Sequence, residues 1–142
     1  MILGTTVSNP VIDLTDCKMT HTEAVAQVIL MGVQMPSDSE CGGETTIACV
    51  SLEQINCDSI GCLRQLKMNS QCDITITAGT ETNDEDGYKI GIALDSCIDT
   101  YISNTFQNVE EPTGGTTQYV ATNGNTFTKE TDHWSIRFTN YC

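Results

Sequence analysis

Basic residues are scarce: 6 Lys+Arg stand against 19 Asp+Glu, a formal net charge of -13. Such a surface repels phosphate backbones and anionic lipid, so neither nucleic acid nor a membrane surface is an expected partner. Long apolar runs are missing too. No run exceeds the four residues of Val28 to Met31, far short of the ~20 needed to span a bilayer. There are only two histidines, His21 and His133, and no C-x-x-C pair. That argues against structural zinc, which takes close Cys pairs or a Cys pair with a His pair, and against a dithiol redox motif. Aromatic residues make up 6% of the chain, with a single Trp. Stacking platforms for sugars are therefore not expected in number. No Asn-x-Ser/Thr sequon occurs, which removes N-glycosylation.

Cysteine, by contrast, is abundant: Cys17, Cys41, Cys49, Cys57, Cys62, Cys72, Cys97 and Cys142. An even number at wide, irregular spacing reads as up to four disulfides formed in an oxidising compartment, hence an extracellular or cell-surface protein. The 105 connectivities open to eight cysteines cannot be separated by spacing, although one bridge is expected to tie Cys142 to the body. The first residues, Met1 to Pro10, lack the basic and apolar regions of a secretory leader. Secretion then implies that a leader has been removed or that Met1 is not native. Threonine is plentiful, with 21 residues, and clusters such as Pro112-Thr-Gly-Gly-Thr-Thr117 could carry O-linked sugar. Thr also simply suits exposed strand faces.

A length of 142 residues suits one domain that buries roughly two-thirds of its unfolded surface. Residues 1–16 read as an extended N-terminal arm, because Val11, Asp13 and Thr15 alternate with Ile12, Leu14 and Asp16. Residues 17–142 form the disulfide-rich body. Thr20-His-Thr-Glu23 is a capping-box pattern that predicts a helix over 21–31, stopped by Gly32. Ile60, Leu63 and Leu66 predict a second helix over 58–67. From residue 72 on the pattern is that of strands. Ile74 and Ile76 alternate with Thr75 and Thr77, Tyr88 to Leu94 alternate, and Trp134, Ile136 and Phe138 share one face of a closing strand. An acidic hairpin loop spans 79–87, and Asn123-Gly124 predicts a two-residue type I′ turn. The expected fold is α+β and β-dominated: an antiparallel sheet or sandwich of at least five strands with two short helices.

Candidate chemistry is thin. Asp84 and Asp86 in the acidic loop imitate part of a calcium loop, but an EF-hand register beginning at Thr82 would put Ala93 where the closing Glu belongs. A solvated hairpin tip is the simpler account, and no resident metal or cofactor is expected. His21 and His133 have no G-x-S-x-G or S-x-x-K motif to serve. Glu110 and Glu111 would point to opposite faces of an extended segment, which makes a poor acid pair. Cys17, Met19 and His21 with Met31 and Met35 sketch a soft-metal set, but a cysteine in a disulfide is no ligand, and Met at helical spacing usually fills a core. An enzyme is therefore not expected.

The feature that stands out is the arm. Val7, Val11, Ile12 and Leu14 could add a strand to an open sheet edge, either on the arm's own domain or on a neighbouring copy, where the contact would run head to tail. The expectation is a non-enzymatic structural or adhesive subunit that partners itself as a homo-oligomer or filament. The alternative is a monomeric secreted binding module, lectin-like, a ligand or an inhibitor, working through loops 79–87 and 110–118. Eight acids and one Lys fall within 81–111, and such an excess would hold lateral surfaces apart.

Overall fold

The computed structural model describes residues 17–36, 49–82, 86–110, 116–139 and 142. The strands are β1 (Lys18–Met19), β2 (Ile55–Asn56), β3 (Ile76–Ala78), β4 (Lys89–Ala93), β5 (Gln107–Glu110), β6 (Thr117–Val120), β7 (Thr126–Lys129) and β8 (His133–Arg137). Three helices accompany them: α1 (His21–Leu30), α2 (Cys57–Ser70) and α3 (Ser96–Thr105). β1 pairs with β2, and the other six strands form one antiparallel sheet in the order β3-β4-β8-β7-β6-β5. The fold is thus the expected disulfide-rich, β-rich α+β domain. No helix among the described residues is long and apolar enough to cross a membrane.

Alternation decides which face of the sheet is buried. Ile90 lies opposite Ile136, which lies opposite Phe127, and Ile92 lies opposite Trp134. These five side chains and Ile76 are all buried. Against them pack the apolar stripes of the helices, Ala24 and Val28 from α1, Ile60, Leu63 and Leu66 from α2, and Ile98 and Ile102 from α3, in a single core cluster. The opposite face carries Lys89, Ser135, Arg137, Thr126, Thr128 and Gln118, the alternate residues of the same strands. Connection order explains the sheet order. After β4 the chain crosses through α3 to the far edge, lays down β5, and returns by hairpins until β8 slots in beside β4.

Helix ends follow capping chemistry. Thr20 Oγ1 accepts from the Glu23 N–H at 3.2 Å and Glu23 Oε1 accepts from the Thr20 N–H at 2.9 Å, the reciprocal box read from the sequence. α2 starts one residue before the expected position and ends three beyond it. Asn56 is its cap, accepting from the Asp58 N–H, and its stop is Gln71, a non-glycine residue in the left-handed region that carries no sequence signal. α3 is a correction to the expectation of two helices. Its Ile, Thr and Ser residues are mediocre helix formers. Asp95, however, caps it by accepting from the Cys97 and Ile98 N–H groups, and Ile98 and Ile102 are fully buried one turn apart.

The turn at Asn123-Gly124 also differs. A type I′ turn needs positive φ at both central residues, yet in this turn only Gly124 has it, at +97°. Gly124 N–H bonds the Ala121 carbonyl, and the Ala121 N–H bonds the Asn125 carbonyl. This is a three-residue loop closed by a left-handed glycine, the next commonest hairpin solution. Loop 79–87 is not simply a solvated tip either. The Glu81 carboxylate accepts from the Ser51 and Gly79 N–H groups at 2.8 and 2.9 Å, and Thr80 N–H bonds the Ser51 carbonyl. Gly87, with φ +75°, is buried so tightly that a Cβ there would sit 2.5 Å from the Asn56 nitrogen.

Three bridges are described: Cys17–Cys57, Cys62–Cys142 and Cys72–Cys97. Cys49 is disulfide-bonded as well. The expected anchor for Cys142 is therefore α2. In the chain-entropy account, longer loops gain more, and these close 40, 80 and 25 residues respectively. Replacing both Cys62 and Cys142 by Ser should lower stability by about 4–5 kcal/mol, against about 3–4 kcal/mol for the Cys72 and Cys97 pair. Denaturant midpoints of the two double variants test the order, and a reversed order would refute it. Gly87→Ala should lose at least about 3 kcal/mol on the same measurement, because strain and a backbone collision act together.

Candidate functional site

Two features of the described surface can engage a partner: an open sheet edge and an aromatic cavity. The edge is β5. It pairs on one side with β6, Gln107 opposite Val120 through Glu110 opposite Thr117, and nothing among the described residues pairs with its other side. Alternate backbone N–H and C=O groups of an edge strand point outward and are free to bind another strand. Gln107, Asn108 and Val109 are exposed, and Val109 is one of the few exposed large apolar residues. The opposite edge is treated differently. Beside β3, Gln34 N–H bonds the Ile74 carbonyl and the Ile76 N–H bonds the Gln34 carbonyl, so the 33–35 segment blunts it.

The arm that could supply a strand, with Val7, Val11, Ile12 and Leu14, lies outside the described residues. Its root does not. Cys17 is bridged to Cys57, and its carbonyl accepts from the Cys57 N–H, while the neighbouring Asn56 N–H bonds the Gly87 carbonyl. Residue 17, the first of the described residues, therefore lies beside the start of β4. β5 lies four strand spacings across the sheet, roughly 19 Å.

The cavity, about 260 Å³, opens between α2, α3 and the turn 121–125. Leu66, Phe127 and Phe138 line its depth, with Tyr101 and Phe106 beside them. Phe106 stacks on Phe127 at 4.6 Å with planes 7° apart, and Tyr101 meets Phe106 edge-on at 5.7 Å. All three Phe of the chain and one of its four Tyr thus converge here. Four amide side chains, Gln65, Asn69, Asn123 and Asn125, also line the cavity, and among the described residues no charged side chain takes part. Sequence reasoning missed this site because the rings come from three separate elements and the overall aromatic content is low. The one local signal was Gln65 and Asn69, one helical turn apart beside buried Leu66.

The remaining candidates resolve into structural roles or lie outside the described residues. Asp84 is among the latter, as are residues 112–115 of the Thr cluster, whereas Thr116 and Thr117 are described. Asp86 faces the Arg137 guanidinium and accepts from the Tyr88 N–H. His21 Nδ1 accepts from the Leu52 N–H at 3.0 Å, while the His21 backbone N–H donates to Glu53 Oε1, so it clamps the chain at residues 52 and 53. His133 Nδ1 lies 2.6 Å from Asp132, and Ser135 follows on the same strand face, lining with it a cavity of about 170 Å³. No hydrogen bond joins Ser135 to His133. The hydrogen bond to His133 holds the Asp132 carboxyl below its ordinary range. Cys72, Asp95 and Cys97 have ligand atoms close together, but their sulfurs are joined to each other.

Asp99 is the other displaced carboxyl. Partial burial pushes it up, yet the Trp134 indole N–H at 2.7 Å and the Lys129 ammonium at 3.3 Å outweigh this and hold it low. Lys129 also lies over the Trp134 ring. The carboxylate thereby fastens α3 to the core face of β7 and β8. A depressed carboxyl contributes stability above its unfolded value of about 3.9, and that contribution is lost as pH falls through the lower folded value. Asp99→Ala strands the buried indole N–H, so it should destabilise by about 1–3 kcal/mol at pH 7. Its stability should also fall less steeply than wild type below about pH 4. Urea midpoints measured from neutral to acid pH check both.

Compared with known protein families, characterised proteins and solved structures, the chain has no match.

Proposed function

We propose that the chain is an extracellular, non-enzymatic structural or adhesive subunit that assembles by strand addition: the arm of one copy pairs with β5 of the next. The observation that carries this reading is the bare outer edge of β5, which no described segment covers, in a domain whose other edge is blunted by residues 33–35. The root of the arm lies towards the blunted side. Donor and acceptor are then different surfaces of one molecule, and such a contact runs head to tail, as a filament or closed into a ring. Main-chain hydrogen bonds would supply affinity, and the alternating Val11, Ile12 and Leu14 would supply register. Disulfides fit an oxidising extracellular setting and resist unfolding under load. The acidic surface disfavours nucleic acid and anionic membrane as partners.

A monomeric secreted binding module is the second reading. The aromatic cavity favours it more than loop 79–87, whose ends are committed to internal bonds.

Sedimentation velocity and imaging of the full chain, of a chain lacking residues 1–16, and of Val109→Lys decide between them. The full chain should form concentration-dependent polymers. The truncated chain and Val109→Lys, which places a charge beside the edge, should be monomers with unchanged circular dichroism. Assembly of the truncated chain would overturn the mechanism, and a full chain that stays monomeric at micromolar concentration would favour the binding module.

A further inference from the structure

We infer that the cavity between α2, α3 and the turn 121–125 is a binding site for a neutral saccharide ring, a recognition function separate from assembly and independent of it. Three properties of the lining point to that ligand class. Tyr101, Phe106 and Phe127 form an aromatic wall, with Phe106 only partly buried. The electron-rich face of such a ring attracts the C–H edge of a sugar. Charged side chains are absent from the lining among the described residues although the chain carries 19 acids, which argues against cationic and anionic ligands alike. Apart from the Tyr101 hydroxyl, the polar side chains of the lining are amides, each both donor and acceptor, and sugar hydroxyls are likewise both.

Two of those amides are unengaged. Asn123 donates to the Cys142 sulfur, and Asn125 to the same sulfur while accepting from Thr139. Gln65 and Asn69 are exposed at the edge of the cavity, one turn apart on α2, and their side chains make no hydrogen bond within the described residues. A volume of about 260 Å³ is just under the roughly 300–1,000 Å³ of sites for drug-sized ligands, which suits a single ring or the terminal residue of a glycan.

Saturation-transfer difference NMR on the full chain tests this, and it works equally on monomer and polymer, so a failure of assembly does not obscure it. The probes are methyl glycosides of glucose, galactose and mannose and free N-acetylglucosamine, with adenosine as a planar, uncharged control. At least one sugar should bind with a Kd on the order of 1–10 mM, saturation being strongest on one face of its ring. Phe106→Ala should weaken that binding about tenfold. Gln65→Ala with Asn69→Ala, both exposed and without fold partners, should weaken it several-fold and keeps the test sound if Phe106→Ala fails to fold. Absence of signal from every sugar would overturn the inference. So would binding of adenosine in preference to the sugars, or sugar binding that neither variant alters.

Discussion

The fold turns on one backbone carbonyl, that of Gly87. It accepts from the Asn56 N–H at 3.0 Å and from Ser59 Oγ at 2.6 Å. The close approach is open only to glycine, since the backbone has φ +75° and the space where a Cβ would go is occupied by the 54–56 backbone. Asn56, fully buried, spends its side chain on capping α2 and its N–H on Gly87. Through that junction the start of α2, the β1–β2 ribbon and the head of β4 are held as one piece. Cys57, next in the chain, is bridged to Cys17, so the same junction fixes the position of the first described residue.

Two consequences follow for assembly. The α3 crossover carries the chain away from this junction and deposits β5 at the far edge of the sheet, so Cys17 and the outer edge of β5, which no described residue covers, are held apart by intervening strands. Were residues 1–16 to add to β5 of another copy, donor and acceptor would be different surfaces of the molecule. The second consequence concerns charge. Of the eight acids between 81 and 111, Glu81 binds backbone N–H groups, Asp95 caps α3, Asp99 holds Trp134 and Lys129, and Asp86 faces Arg137. That part of the acid excess is internal architecture rather than a means of keeping surfaces apart.

What could be read from the sequence is what depends on neighbours in the chain. The Thr20–Glu23 box, the buried face of Trp134, Ile136 and Phe138, and the alternation of β4 are local patterns, and the structure has them all. What could not be read depends on distant partners. α3 is built from poor helix formers and is held by its Asp95 cap, by Ile98 and Ile102 in the core and by the bridge from Cys97 to Cys72. The left-handed Gln71 stops α2 without the usual glycine. The choice of a three-residue loop at Asn123-Gly124 accompanies the bonds of Asn125 to Thr139, a partner fourteen residues away. The cavity is the extreme case, since its rings come from α3 and its C-cap, β7 and the residue after β8, and only tertiary packing brings them together.

The central claim is that β5 receives a strand from another copy, and amide hydrogen exchange reports on it directly. In assembled material, the N–H groups of residues 107–110 that point away from β6 should exchange slowly. In the dissociated chain they should exchange rapidly, while the amides of β7 and β8 exchange alike in both states. Equal exchange at residues 107–110 in the two states would contradict the account.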